Sequence, residues 1–160
     1  MERPADDDRQ GAWPRRAGPE ARRPGQRQVR RGQAAHPEFA GKKLVSDFTS
    51  EPNAHYVIGK GDPRNAIFDG LGLDTGGTIG DVSEEKLNLL DGEALFVNGL
   101  GKEQLADVPA FQRLNVVRDG RTLYAGSDST LSGAIAFHGP NAMMYALDLL
   151  VPPAVQRLHG

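Results

Sequence analysis

The run Ala94-Leu95-Phe96-Val97 is apolar at every position and is bounded by turn signals, with Asp91-Gly92 just before it. A strand with one wet face alternates polar and apolar side chains, whereas a run without alternation is buried on both faces. Such a strand belongs inside a sheet that helices cover on either side. This narrows the chain to a layered α/β fold.

The flanking sequence supplies the rest of that fold. Leu44-Val45-Ser46-Asp47-Phe48 and Tyr56-Val57-Ile58 read as strands, the second ending at Gly59. Asp62-Pro63-Arg64 opens a helix, because Asp62 can accept the orphan amides and Pro63 suits the first helical position. Ile67, Phe68 and Leu71 give it one apolar face, and Gly70 and Gly72 end it. Ser83 is expected to cap a second helix, with Glu84 and Glu85 solvated in its first turn and Leu87 and Leu90 facing inward. Short helical stretches follow at 102–105 and 109–114. Val116-Val117 and Thr122-Leu123-Tyr124 flank Asp119-Gly120, a hairpin-like signal. A last helix begins near Pro140, with Met143-Met144-Tyr145 expected in its core packing. Pro152-Pro153 is expected to interrupt it before a final turn. The expected architecture is a single Rossmann-like layered lobe with a disordered N-terminal arm.

That arm is visible in the composition. Residues 1–33 hold nine Arg, no Lys, four Pro and a net charge of +4, with little that is large and apolar besides Trp13 and Val29. The remainder carries −6 and reads as ordinary globular sequence. A segment of this kind cannot bury enough surface to offset its ordering entropy, so residues 1–33 are expected to be disordered and 34–160 to form the folded lobe. The absence of Cys excludes disulfides, thiolate metal sites and a lipid-modified Cys. No N-terminal apolar stretch of about 7–15 residues suggests a signal peptide, and no apolar run approaches the roughly 18 residues of a membrane span. The chain as it stands is therefore expected to stay in the cytoplasm. His36, His55, His138 and His159 lack helical pair spacing, so no zinc site is expected.

Two stretches suggest other chemistry. Thr75-Gly76-Gly77-Thr78-Ile79 is similar to the nucleophile segment of type I/II asparaginases, in which a Thr hydroxyl attacks an amide carbon. Here it follows a helix end, Asp69 to Asp74, where that chemistry needs a buried strand. A Thr-Asp pair beside Lys, the second segment of that family, does not follow in recognisable form. The pairs Arg15-Arg16, Arg22-Arg23 and Arg30-Arg31 could meet phosphates, which leaves a nucleic-acid-associated role open. Arg without Lys, set among Pro, Gly and Ala, also fits a stretch with no selected role. No nucleic-acid partner is expected.

Several ordered segments together resemble iron–siderophore solute-binding proteins of ABC importers, specifically their C-terminal lobe. Tyr56 to Arg64, followed by Leu71-Gly72-Leu73, is similar to the segment opening that lobe in actinobacterial members. Ser83 to Asp91 with the strand to Val97 resembles the family's Ser-x-Glu-x-Leu helix and next strand. Pro109 to Leu114 with Val117 to Arg121, and Ala136 to Pro152, resemble its later segments. His36 to Lys42 resembles the end of the linking helix. The match covers residues 34–160 and implies a class III periplasmic binding fold. In that fold two α/β lobes joined by a long helix clasp a ferric siderophore and hand it to a membrane permease.

On that resemblance the chain lacks the first lobe, most of the linking helix, the secretion signal and the lipobox Cys. It implies a monomer that binds without catalysis and has no cofactor, with iron held only by the siderophore. Ligands of open α/β sheets sit beyond the carboxyl ends of the strands. This places Lys60–Arg64, Asn98–Gly101 and Ser127–His138 at one rim. Arg64 and then Lys60 are the expected cations for an anionic complex. Asn98, Ser132 and His138 are candidate polar contacts, and Asp74 is the nearest acidic candidate for meeting the permease.

Overall fold

The computed structural model describes residues 23–137 and 140–158. Its five-stranded sheet has the order β3-β2-β1-β4-β5, where β1 is Leu44–Glu51, β2 Ala54–Ile58, β3 Gly80–Val82, β4 Ala94–Gly99 and β5 Thr122–Gly126. β1, β4 and β5 run parallel, while β2 and β3 are added antiparallel. The apolar run falls in β4, second from the edge, and residues 94–97 are almost wholly buried. The α/β expectation therefore holds.

Two cores flank the sheet. Leu44, Phe96, Leu123 and Ala125 face one side, against Phe68, Leu71, Ala134, Ala146 and Ala154. That side is covered by α1 (Arg23–Ala35), α2 (Ala66–Gly70), α6 (Thr130–Phe137) and α7 (Pro140–Leu158). Val45, Val57, Leu95 and Val97 face the other, against Leu87, Leu90, Leu105, Phe111 and Val116. These come from a 3-10 helix at Glu84–Leu90 and from the one-turn helices α3 (Lys102–Leu105), α4 (Pro109–Gln112) and α5 (Asn115–Arg118).

The structure corrects several expectations. Helix α1 begins at Arg23, inside the segment expected to be disordered up to Gln33. Val29 is its anchor: it is 8% exposed and sits so close to α2 that a Cβ at Gly70 would lie 2.2 Å from Val29 Cγ1. Ser83 makes no side-chain cap. The residues around Asp119-Gly120 do not form a hairpin, because Val116 and Val117 are helical and β5 joins the sheet parallel to β4. Helix α6 occupies most of the segment from Ser127 that was expected at the rim. Tyr145, expected in the core, is 47% exposed.

Helix α7 runs through Pro152 and Pro153 instead of breaking there. Val151, Ala154, Val155 and Leu158 keep the i, i+3, i+4, i+7 spacing across the prolines and pack on the core, which holds the helix together despite the missing donors.

A buried polar pair lies within the second core. His55 Nδ1 is 2.6 Å from Asp47 Oδ2, and the Tyr56 amide donates to Asp47 Oδ1 at 3.2 Å. The His55 ring stacks on Phe111, with centroids 5.7 Å apart and planes 5° apart. Each Asp47 oxygen, with no exposure, thus has a donor, whereas the buried His55 Nε2 on the far side of the ring has no hydrogen-bond partner among the described residues.

Asp91 ties the end of the 3-10 helix to the start of α5. It accepts from the amides of Val116 at 2.8 Å and Asn115 at 3.2 Å, and from the Asn115 side chain at 2.7 Å. Burial acts to raise the Asp91 carboxyl, but the two amides, the Asn115 side chain and the nearby Arg121 charge together hold it below its ordinary range. A depressed folded-state value stabilises the fold above the unfolded-state value, and that contribution is lost as pH falls through the folded one. Asp91→Ala should cost about 1–2 kcal/mol at neutral pH. The gap between variant and wild type should close in strong acid, as read by urea denaturation across pH.

Candidate functional site

The site is a row of side chains on the first face of the sheet. Tyr56, Phe48 and Asn98 are register partners across β2, β1 and β4, so all three point to the same side. Phe48 is half-buried and Tyr56 is 40% exposed, while Asn98 lies deeper. Ser132 Oγ of α6 donates to Asn98 Oδ1 at 2.6 Å, which fixes the amide at the carboxyl end of β4.

Arg64 reaches this row by an indirect route. β2 is antiparallel, so its carboxyl end lies at the opposite end of the sheet from those of β4 and β5. The loop after β2 therefore does not share their rim, contrary to expectation. The side chain of Arg64 turns back over the sheet instead and places its guanidinium carbon 4.7 Å from the centre of the Phe48 ring. A cation in this position is worth about 0.5–1 kcal/mol where exposed.

Asp62 holds the guanidinium there, accepting from Arg64 Nε at 2.9 Å and from Nη2 at 2.8 Å. The same carboxylate accepts from the Arg64 amide at 2.9 Å, which is the N-cap expected from the sequence. The hydrogen bonds to Asp62 raise the pKa of Arg64 despite some opposing burial, with smaller charge effects from Asp62 and Tyr56. Arg64 is thus a fixed cation whose charge is largely balanced by its neighbour.

The buried Asn65 anchors the loop. Its Nδ2 donates to the carbonyls of Ile58 at 3.2 Å and Gly59 at 3.0 Å.

The remaining sequence candidates stand apart. Lys60 is exposed, and its amide donates to the Gly76 carbonyl at 2.7 Å. His138 lies outside the described residues, as do Trp13 and the Arg15-Arg16 pair. Asp74 is exposed, and its carboxylate accepts from the Gly76 amide at 3.0 Å. Phe48, Tyr56 and the pairing role of Asp62 were missed. Alternation along β1 and β2 was the available signal for the two aromatics, since it sets Phe48 and Tyr56 on one face once the register is known.

The Thr75–Ile79 stretch has a structural role. Thr75 is buried and donates to Asp69 Oδ1 at 2.6 Å, while Thr78 Oγ1 accepts from the Gly59 amide at 3.0 Å. Gly59 lies directly against this loop, and a Cβ there would be 2.2 Å from the Gly77 carbonyl carbon. Among the described residues no His, Asp or Glu grouping could hold a metal ion, and no helix is long and apolar enough to cross a membrane. Gly59→Ala should destabilise the fold by about 1–3 kcal/mol, measured as a lower urea midpoint; an unchanged midpoint would contradict the close approach.

No protein-family model and no curated protein matches the sequence. Solved structures do. A periplasmic solute-binding protein from Mycobacterium smegmatis superposes with a TM-score of 0.77 at 22% identity, over 87% of this chain and 50% of that one. PiaA of Streptococcus pneumoniae, solved with ferrichrome, gives 0.70 at 16% identity over 88% of this chain and 52% of its own. The siderophore periplasmic binding protein of the fuscachelin gene cluster of Thermobifida fusca gives 0.65 at 16% identity, over 87% and 55%. The chain thus spans about half the length of the proteins it superposes on. Its fold is that of one α/β half of these periplasmic solute-binding proteins.

Proposed function

We propose that the chain is a solute-binding lobe of an ABC importer for ferric siderophores, presenting the Tyr56–Phe48–Asn98 row and Arg64 as one wall of the ligand cleft. The observation that carries this reading is the guanidinium placed over the Phe48 ring, on the sheet face that also carries the Asn98–Ser132 pair. It offers an aromatic surface, oriented N–H donors and a fixed amide on one face, a combination suited to a bulky, oxygen-rich complex. Two of the superposed structures are of proteins bound to ferrichrome and to ferric Desferal, which supports the ligand class. In this reading iron stays within the siderophore, the protein carries out no bond-making step and needs no cofactor, and the partner in the membrane is the importer's permease. The site of action in this reading is the cell envelope, as for the periplasmic proteins it superposes on, and not the cytoplasm expected from the sequence as it stands.

One wall leaves the ligand open to water, so this chain alone should bind weakly. The gallium(III) complex of a hydroxamate siderophore, a diamagnetic stand-in for the ferric one, should shift the NMR signals of Tyr56, Phe48, Arg64 and Asn98. Arg64→Ala should weaken binding about tenfold, the loss of one charge-assisted contact. Asp62→Asn leaves Arg64 unbalanced and should favour an anionic complex over a neutral one. Shifts confined to other surfaces, or none at millimolar ligand, would refute the reading.

A further inference from the structure

We propose that α1 and α7 together form a docking face for an anionic membrane surface. Helix α1 contains no acidic residue. Arg27, Arg30 and Arg31 on it are exposed, and none has a carboxylate partner among the described residues. At about 100° per residue these three fall within an arc of about 100°, centred about 150° away from the buried Val29. The cations therefore form a ridge turned away from the sheet.

Helix α7 packs beside α1 and carries a second ridge of different chemistry. Tyr145 is 47% exposed and Leu149 36%, with Pro152 exposed one further turn along. The spacing i, i+4, i+7 sets them on one side, opposite the buried Ala154 and about a quarter-turn from the buried Ala146. A groove of about 320 Å³ separates the two ridges, lined by Arg31, Gly32 and Ala35 on one wall and Asp148, Val151 and Pro152 on the other.

Cations beside an exposed Tyr and Leu match the boundary of an anionic bilayer, where guanidinium groups meet phosphates and apolar side chains enter the headgroup region. The shape favours a membrane over a nucleic acid. A polyanion laid along the groove would meet the Asp148 carboxylate that lines it, whereas a bilayer would need only the ridges on either side. None of these side chains belongs to the row around Arg64, so the proposal stands independently of the ligand.

The test is cosedimentation of the full chain with phosphatidylcholine vesicles with and without phosphatidylglycerol. Binding should require phosphatidylglycerol and fall with added salt. Arg27→Gln/Arg30→Gln/Arg31→Gln should lower partitioning at least about tenfold. Tyr145→Ser/Leu149→Ser should lower it several-fold while leaving its salt dependence in place. All five positions are exposed, and an unchanged thermal melt confirms that the variants fold. Equal binding to both vesicle types would overturn the proposal. So would undiminished binding by the triple-Gln variant, which would assign the effect to the arginines of residues 1–22. Retention on duplex DNA without vesicle binding would give the face to nucleic acid instead.

Discussion

The buried Asp47 carboxylate fixes the pairing of β1 with β2, and the candidate site depends on that pairing. Asp47 accepts from the His55 ring and the Tyr56 amide together, two consecutive residues of the neighbouring strand. A slip of one residue would break both contacts and leave the buried carboxyl group without its donors. It would also turn Tyr56 to the opposite face, because side chains alternate with a period of two. Phe48 would then lose its aromatic neighbour. The register that places His55 against Phe111 in one core is therefore the same register that sets Tyr56 beside Phe48 on the other side of the sheet.

The parts of the fold legible in the sequence were those written in local pattern. Ala94 to Val97 announced a strand covered on both faces, and Asp62-Pro63 announced a capped helical turn; both are present. The direction of β2 was not legible, because a short strand followed by a glycine reads alike in parallel and antiparallel pairing. From that error followed the misplaced rim, with Lys60 assigned beside Asn98. Arg64 comes to the Asn98 face only because its side chain turns back over the sheet to Phe48, the register partner of Asn98. Helix α1 was hidden by composition. Its arginines dominate any average over the segment, while the one residue that seats it, Val29, is too few to register as a pattern.

Low identity and close superposition are compatible because the fold rests on placement more than on particular residues. The core positions of β1, β4 and β5 need only to be apolar and of suitable size. The row around Arg64 is under no such averaging. Its chemistry depends on one guanidinium, one carboxylate and two aromatic rings, and the pairing of Arg64 with Asp62 makes it nearly neutral. Discrimination on such a face comes from shape and donor geometry ahead of net charge.

The two prolines of α7 divide that helix mechanically. Neither Pro152 nor Pro153 has an amide proton, so the carbonyls of Asp148 and Leu149 receive no bond from the following turn. Unwinding that starts at Leu158 meets this gap after little more than one turn and need not propagate further. Residues 154–158 are thus held by the packing of Ala154, Val155 and Leu158 on the core and by the Arg157 hydrogen bond to the Gly120 carbonyl, more than by the helical bonds of the turn before them.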